Sequence, residues 1–222
     1  MKSITFILPL VLFIGCFASG PDPIKDALLV DKTDAQTTKL DKIEKLIVKI
    51  SDDKRQLEKN YSVVKQQISV VDDEIDFYKS LKKVLLGKQK LYTMTKDGDK
   101  MNKTKIELNK CLTNIKYKQV EAKYFEAKSD DTSAHIELKD AELGEKVSER
   151  RYMRAKIARA YQEKVYGGKK KAPKGAKLIK VKTYEDDLND KKKVLFKQRE
   201  KRIKTQTLLK AAEMKLKNTE KV

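Results

Sequence analysis

The chain has 222 residues and a net charge of +19, because 52 Lys and Arg stand against 33 Asp and Glu. Only 8 Gly and 4 Pro are present, too few for the many turns of a compact α/β enzyme. A composition rich in Lys, Glu, Leu and Ala with few helix breakers is typical of long helices or coiled coils. One histidine (His135) and two cysteines (Cys16, Cys111) leave almost nothing for a metal site or a His-based catalytic centre. We therefore expect neither an enzyme nor a cofactor.

Residues 1–15 have the pattern of an export signal. Lys2 gives a positive start, and residues 4–15 are almost entirely apolar but too few to span a bilayer. The run ends in Phe13-Ile14-Gly15-Cys16, which resembles the lipobox of bacterial lipoproteins, spirochaetal ones in particular. The resemblance covers the signal segment alone. It implies that Cys16 is acylated and that the mature protein is anchored at the outer membrane of a cell envelope.

A plain signal peptide cut after Ala18 is the alternative, and the mature chain would then be secreted. Both routes leave Cys111 without an internal partner, so no disulfide is expected. We expect Cys111 to be a small buried side chain on a helix.

Residues 16–37, with Pro21 and Pro23, predict a flexible tether after the acylated Cys16. Thr38 marks the expected start of a helix, and Gly87 a stop or kink. Between them, fourteen positions alternate by three and four residues and twelve are apolar, which predicts a coiled-coil helix. These positions are Leu40, Ile43, Ile47, Ile50, Lys54, Leu57, Tyr61, Val64, Ile68, Val71, Ile75, Tyr78, Lys82 and Leu85.

A turn is predicted over residues 95–99, and a second helix over residues 101–166. No single heptad frame holds all of its apolar residues, so its register must shift, and residues 129–133 are its weakest stretch. Residues 167–182 predict a basic loop and residues 183–222 a third, basic helix. Its ten heptad positions are Tyr184, Leu188, Lys191, Leu195, Gln198, Arg202, Thr205, Leu209, Ala212 and Leu216.

The predicted fold is all-α: an elongated antiparallel coiled coil of about three long helices, with residues 38–166 forming the first two. We expect the first half of the second helix to pack on the first helix and its second half on the third. Such a fold buries only seams, so no pocket of the usual ligand size is expected. The seams also allow self-association into a homo-oligomer.

Positive charge is concentrated in the last third of the chain. Residues 150–222 hold 25 Lys and Arg against 8 Asp and Glu, a net +17, and six of the seven arginines. Self-repulsion of this size costs stability unless a counter-charge is present, which favours an anion-binding surface over a solvated face. The candidate residues are Arg150, Arg151, Arg154, Arg159, Lys169, Lys170, Lys171, Lys193, Lys197, Arg199, Lys201, Arg202 and Lys204.

These residues form clusters at 150–164, 169–182 and 191–204. Antiparallel packing of the second and third helices is expected to bring the first and last clusters side by side, with the loop capping them. Lys193, Lys197, Lys201 and Lys204 would form one stripe about 16 Å long. This spacing suits a linear polyanion, and the cluster at residues 191–204 resembles the basic clusters of heparin-binding segments.

The leading functional hypothesis is a non-enzymatic, membrane-anchored adhesin or binding protein for an anionic polymer. Glycosaminoglycan, lipopolysaccharide, teichoic acid and nucleic acid are the candidate partners. A periplasmic structural or chaperone-like coiled-coil protein is the second hypothesis. A secreted eukaryotic or parasite protein is the third, with Asn60 and Asn102 as glycosylation acceptors.

Overall fold

A computed structural model describes residues 20–167 and 177–219. Within these ranges the chain forms three long helices, one short 3-10 helix and no strand, which confirms the all-α prediction. The helices are α1 (Asp34–Met94), α2 (Gly98–Val165) and α3 (Val181–Thr219), and the 3-10 helix is Asp26–Leu28. Residues 1–16, with the predicted signal and the acylation site, lie outside the described residues, as do Lys169, Lys170 and Lys171.

The start of α1 is fixed by a capping box that precedes the predicted start at Thr38. Thr33 accepts a hydrogen bond on Oγ1 from the backbone N–H of Gln36 at 3.3 Å, and its own N–H donates to Gln36 Oε1 at 3.0 Å. Two backbone donors that the helix leaves unpaired are satisfied in this way. The same spacing of Thr and Gln is visible in the sequence.

Helix α1 continues through Gly87, where a stop or kink is predicted, and ends at Met94. A single glycine costs a helix only about 1 kcal/mol, and the surrounding seam contacts outweigh it. The chain then turns through Lys96, which has a left-handed φ of 55°. Asp97 begins α2 by accepting the N–H of Lys100 on Oδ1 at 3.1 Å.

Both predicted seams are confirmed. All fourteen positions on α1 and all ten on α3 are buried or half-buried. The seam prediction depends on a repeat of 3.5 residues, and this repeat keeps one stripe of each helix against its neighbour. Polar members such as Lys54 and Arg202 are kept in the seam by acidic partners on α2.

Contacts divide the chain into two compact units, each containing parts of all three helices. Unit 1 comprises the described residues of 20–49 and 142–194. Unit 2 comprises residues 50–141 and 195–219. In both units α1 runs antiparallel to α2 and α2 runs antiparallel to α3.

In unit 1, Glu44 of α1 lies 3.6 Å from Arg150 of α2, while Ser148 of α2 donates to Asp187 of α3 at 2.6 Å. In unit 2, Lys54 of α1 binds Asp140 of α2 at 2.6 Å. Helix α2 is therefore covered by α1 and α3 together along its second half. The predicted packing of this half on the third helix is confirmed, and α1 covers the same half as well.

Two-sided cover explains why α2 has no single heptad frame. Between residues 141 and 155 of α2 no side chain is classed as exposed. The fully buried positions are small, with Ala155 and Ala158 at 0% exposure and Ser148 at 1%. Small side chains let two neighbouring helices approach one central helix closely. Residues 129–133, the weakest stretch of the predicted helix, form part of the unbroken α2.

Residues 20–33 pack against the helices of unit 1 where the sequence predicts a flexible tether. Ile24 and Leu29 are 8% and 4% exposed and belong to one apolar cluster with Leu40, Ala158 and Tyr184. The prolines and small polar residues of this segment suggest a tether, but the segment also contains these two apolar side chains. Burial of Ile24 and Leu29 offsets the entropy cost of ordering the segment.

A buried glutamine positions the chain that enters α3. Gln162 of α2 is 3% exposed; it donates from Nε2 to the carbonyl of Lys177 at 3.0 Å and accepts the N–H of Ile179 on Oε1 at 2.9 Å. It thereby satisfies two backbone groups of a segment that belongs to neither helix nor strand.

Candidate anion-binding surface

The arginines of α2 have partners within unit 1, and Arg154 holds the N-terminal segment in place. Arg154 forms an ion pair with Asp26 and donates to the carbonyl of Ile24 at 2.9 Å. Arg150 lies 3.6 Å from Glu44, and Arg159 donates to Glu163 at 2.7 Å. Arg151 also has a partner. These four predicted anion-binding residues therefore have internal roles in unit 1.

A lysine adds to the same attachment. Lys164 near the end of α2 binds Asp31 at 2.6 Å. The hydrogen bond and charge of Asp31 raise the pKa of Lys164 above its usual range. Part of the positive charge of residues 150–164 is thus balanced by acids of residues 20–44.

The register between α2 and α3 keeps the two predicted helix clusters from facing each other. In unit 1, Ser148 of α2 meets Asp187 of α3, so residues beyond 148 face the start of α3. In unit 2, Lys201 meets Glu137 at 2.6 Å and Arg202 meets Asp131 at 2.8 Å. The basic cluster on α3 lies opposite acids of α2, and the predicted pairing of basic clusters is wrong.

Three of the predicted α3 cations thus have acidic partners. Lys201 and Arg202 bind acids of α2 in unit 2. In unit 1, Lys193 forms an exposed pair with Asp190 at 2.9 Å on its own helix. Exposed pairs of this kind hold a side chain weakly, with energies of about 0–1 kcal/mol, so Lys193 can exchange its partner.

Lys217 in unit 2 binds Glu213 on its own helix at 3.1 Å. The other cations of α3 in unit 2 are exposed, and none of them forms an ion pair within residues 20–167 and 177–219. We call them the outer α3 cations: Lys197, Arg199, Lys204, Lys210 and Lys215. The sequence prediction includes the first three and misses the other two. Their exposure could be predicted from the heptad frame, because none of the five is a seam position of α3.

Residues 195–219 carry eight Lys and Arg against two Glu. Large apolar side chains lie among the outer α3 cations: Phe196, Ile203 and Met214 are 62%, 63% and 62% exposed. The exposed surface of α3 in unit 2 therefore includes both unpaired positive charge and accessible apolar side chains.

Unit 1 also contains an open groove of about 430 Å³, where the sequence predicts no pocket of ligand size. Its wall includes Tyr152 and Leu188, together with Lys146, which binds Glu145 at 3.1 Å and Glu149 at 2.8 Å. Four lysines and two glutamates line the groove, so its net charge is positive, and both glutamates bind Lys146.

Comparison with protein-family models, curated proteins and solved structures finds no match to this chain. No described helix has the length and apolar character that crossing a lipid bilayer requires. Within the same ranges, no group of His, Cys, Asp and Glu side chains is arranged to hold a metal ion.

Proposed function

We propose that this protein is an exported, non-enzymatic binding protein for a sulfated or phosphorylated polymer, and that the outer α3 cations are its binding surface. The observation that supports the proposal is the division of positive charge into two classes. Cations such as Arg154 and Arg202 have acidic partners inside the fold, whereas Lys197, Arg199 and Lys204 have none among the described residues. A group of unpaired cations attracts a polyanion and raises its rate of association.

The chemistry of the cations suits a linear ligand. Seven residues separate Lys197 from Lys204, about 10 Å along a helix, so successive anionic groups can each meet one cation. Arg199 can bind two oxygens of one sulfate or phosphate at once, which a lysine cannot. The binding energy would come mainly from release of counterions, so it would not depend on a pocket.

Anchoring is a separate part of the proposal. Acylation of Cys16 would attach the mature chain to a membrane of the cell envelope, and stable attachment takes two or more acyl chains. The packed residues 20–33 would then leave only a short connection between the lipid and unit 1.

One observation favours the chaperone-like alternative. Phe196, Ile203 and Met214 expose apolar surface beside the outer α3 cations, and surface of this kind can bind unfolded segments of other proteins. The two functions differ in what they need: a polyanion requires the cations, whereas an unfolded client also requires the apolar side chains. Replacing Phe196 and Ile203 by Gln separates them, since only client binding should then fall.

Two variants with the same loss of charge test the proposal. The first changes Lys197, Arg199, Lys204 and Lys210 to Gln. The control changes Lys42, Lys45, Lys49 and Lys59 of α1, all exposed, to Gln. We expect the affinity for a fluorescent sulfated oligosaccharide, measured by anisotropy, to fall much more in the first variant. Equal losses would mean that net charge alone governs binding, and the proposed surface would be rejected.

A further inference from the structure

The exposed side of α1 in unit 2 carries a regular apolar stripe. We call it the outer α1 stripe, and its members are Val63, Val70, Phe77, Val84 and Leu91. Each lies seven residues from the next, and their exposures are 52%, 58%, 62%, 55% and 54%. Single exposed apolar residues are ordinary on a protein surface, but five at one heptad position form a regular series along the helix.

The stripe is a second heptad seam on the same helix. The first seam, which includes Val64, Val71 and Leu85, is buried against the rest of unit 2. Positions three residues after the stripe members are exposed as well and include Ser80 and Gly87. A Cβ added at Gly87 would meet nothing within 4 Å, so space beside this helix is open to another backbone.

We propose that the outer α1 stripe binds the same stripe of a second copy of this chain in antiparallel orientation. The argument for a second copy is the charge along the helix. Acids precede the centre of the stripe, at Asp72, Asp73 and Asp76, and lysines follow it, at Lys83, Lys88 and Lys90. A helix with this polarity complements itself only when the second copy runs the opposite way.

A two-fold axis between Phe77 and Val84 satisfies both the apolar and the charged residues. Phe77 then lies opposite Val84 of the second copy, and Val70 opposite Leu91. Asp73 then lies opposite Lys88 of the second copy, and Asp76 lies within two residues of Lys83 of the second copy. Four apolar side chains from each copy are covered, and the contact is symmetric, as expected for a homodimer.

Parallel packing of the same stripes would be unfavourable. Asp73 would lie beside the second Asp73, and Lys88 beside the second Lys88. Like charges at facing positions of paired helices are destabilising, and they set the orientation of coiled coils. The stripe therefore specifies orientation as well as contact.

Sedimentation equilibrium of the full chain tests the contact. We expect a monomer–dimer equilibrium at micromolar concentration that Val84→Gln weakens by about tenfold or more, since each dimer loses two buried valines. Val48→Gln is the matched control, because Val48 is 60% exposed on α1 but does not belong to the stripe. A chain that stays monomeric, or equal effects of the two substitutions, would overturn the proposal.

Disulfide cross-linking tests the orientation. Val70→Cys and Leu91→Cys are prepared separately in the full chain with Cys16→Ser; Cys111 is only 2% exposed and remains unreactive. We expect a cross-linked dimer only when the two variants are mixed, since antiparallel packing brings position 70 to position 91. Efficient cross-linking of either variant with itself would indicate parallel packing and contradict the proposal.

Discussion

Arg202 of α3 holds both carboxylate oxygens of Asp131 of α2, through Nε at 2.8 Å and Nη2 at 3.2 Å. Thr205 donates its hydroxyl to Asp131 Oδ1 at 3.0 Å, so one carboxylate accepts three hydrogen bonds from one helix. The side chains of Arg202 and Asp131 are 15% and 10% exposed. A charged group thus occupies a seam position because its partner lies directly across the contact.

Removing Arg202 should destabilise unit 2. Arg202→Gln leaves Asp131 charged, largely buried and short of donors, at a cost of about 2 kcal/mol. Arg199→Gln is the control, because Arg199 is exposed and lies three residues away on the same helix. Urea denaturation followed by circular dichroism measures both free energies of unfolding. Equal stability of the two variants would show that the Arg202 pair contributes nothing.

Release of the N-terminal segment is expected from Arg154→Gln. The substitution removes the contacts to Asp26 and to the carbonyl of Ile24, which hold residues 20–33 against α2. Limited proteolysis should then cleave within residues 20–33 faster than in the unchanged chain. Arg159→Gln is a suitable comparison, since Arg159 pairs with Glu163 on its own helix. Unaltered cleavage in Arg154→Gln would mean that the apolar cluster and the contact of Lys164 with Asp31 hold the segment without Arg154.

Lys118 should make the stability of unit 2 fall at alkaline pH. Partial burial opposes its charge, but the hydrogen bonds and charges of Glu121 at 2.7 Å and Glu74 at 2.6 Å prevail and raise its pKa. When folding raises the pKa of a lysine, its charged form contributes fully to stability at any pH below the pKa of the unfolded chain, about 10.4. This contribution is lost as the pH rises towards and through the pKa of the folded chain. The difference in unfolding free energy between the unchanged chain and Lys118→Met should therefore shrink above about pH 10. A difference that is independent of pH would contradict this account.

Acylation at Cys16 is expected to place the expressed protein in the detergent phase of a phase-separation assay. Cys16→Ala should move it to the aqueous phase, because the diacyl group is lost. Mass spectrometry of the mature N-terminus gives the direct measurement. A start at Ser19 would support a secreted protein cut after Ala18 in place of a lipoprotein.

The sequence predicts the helices well where burial is one-sided. Each of α1 and α3 buries one predicted stripe, so a single repeat of 3.5 residues describes its seam and every predicted position is buried or half-buried. The central helix is covered on two sides, and its buried set includes Ala155, Ala158 and Ser148, which no hydrophobic pattern identifies. The packing of residues 20–33 was equally hidden, because Ile24 and Leu29 are too few to form a periodic signal.

For the candidate site, the limit of prediction from sequence has a different cause. Net charge identifies which third of the chain is basic, but it does not tell a paired cation from an unpaired one. That distinction depends on the register between α2 and α3, which brings Arg202 to Asp131 and leaves Arg199 exposed. The register depends on how specific side chains of both helices pack over many turns, so it cannot be predicted from the spacing of apolar residues in one helix.

The salt dependence of polyanion binding tests the central claim most directly. The dissociation constant of a sulfated oligosaccharide is measured over a range of salt for the unchanged chain and for the two variants that each lose four cations. We predict a steep slope of log affinity against log salt, reduced by about one unit for each outer α3 cation removed and nearly unchanged by the α1 control. Binding that does not depend on salt, or equal slopes for the two variants, would contradict the claim that the outer α3 cations bind a polyanion.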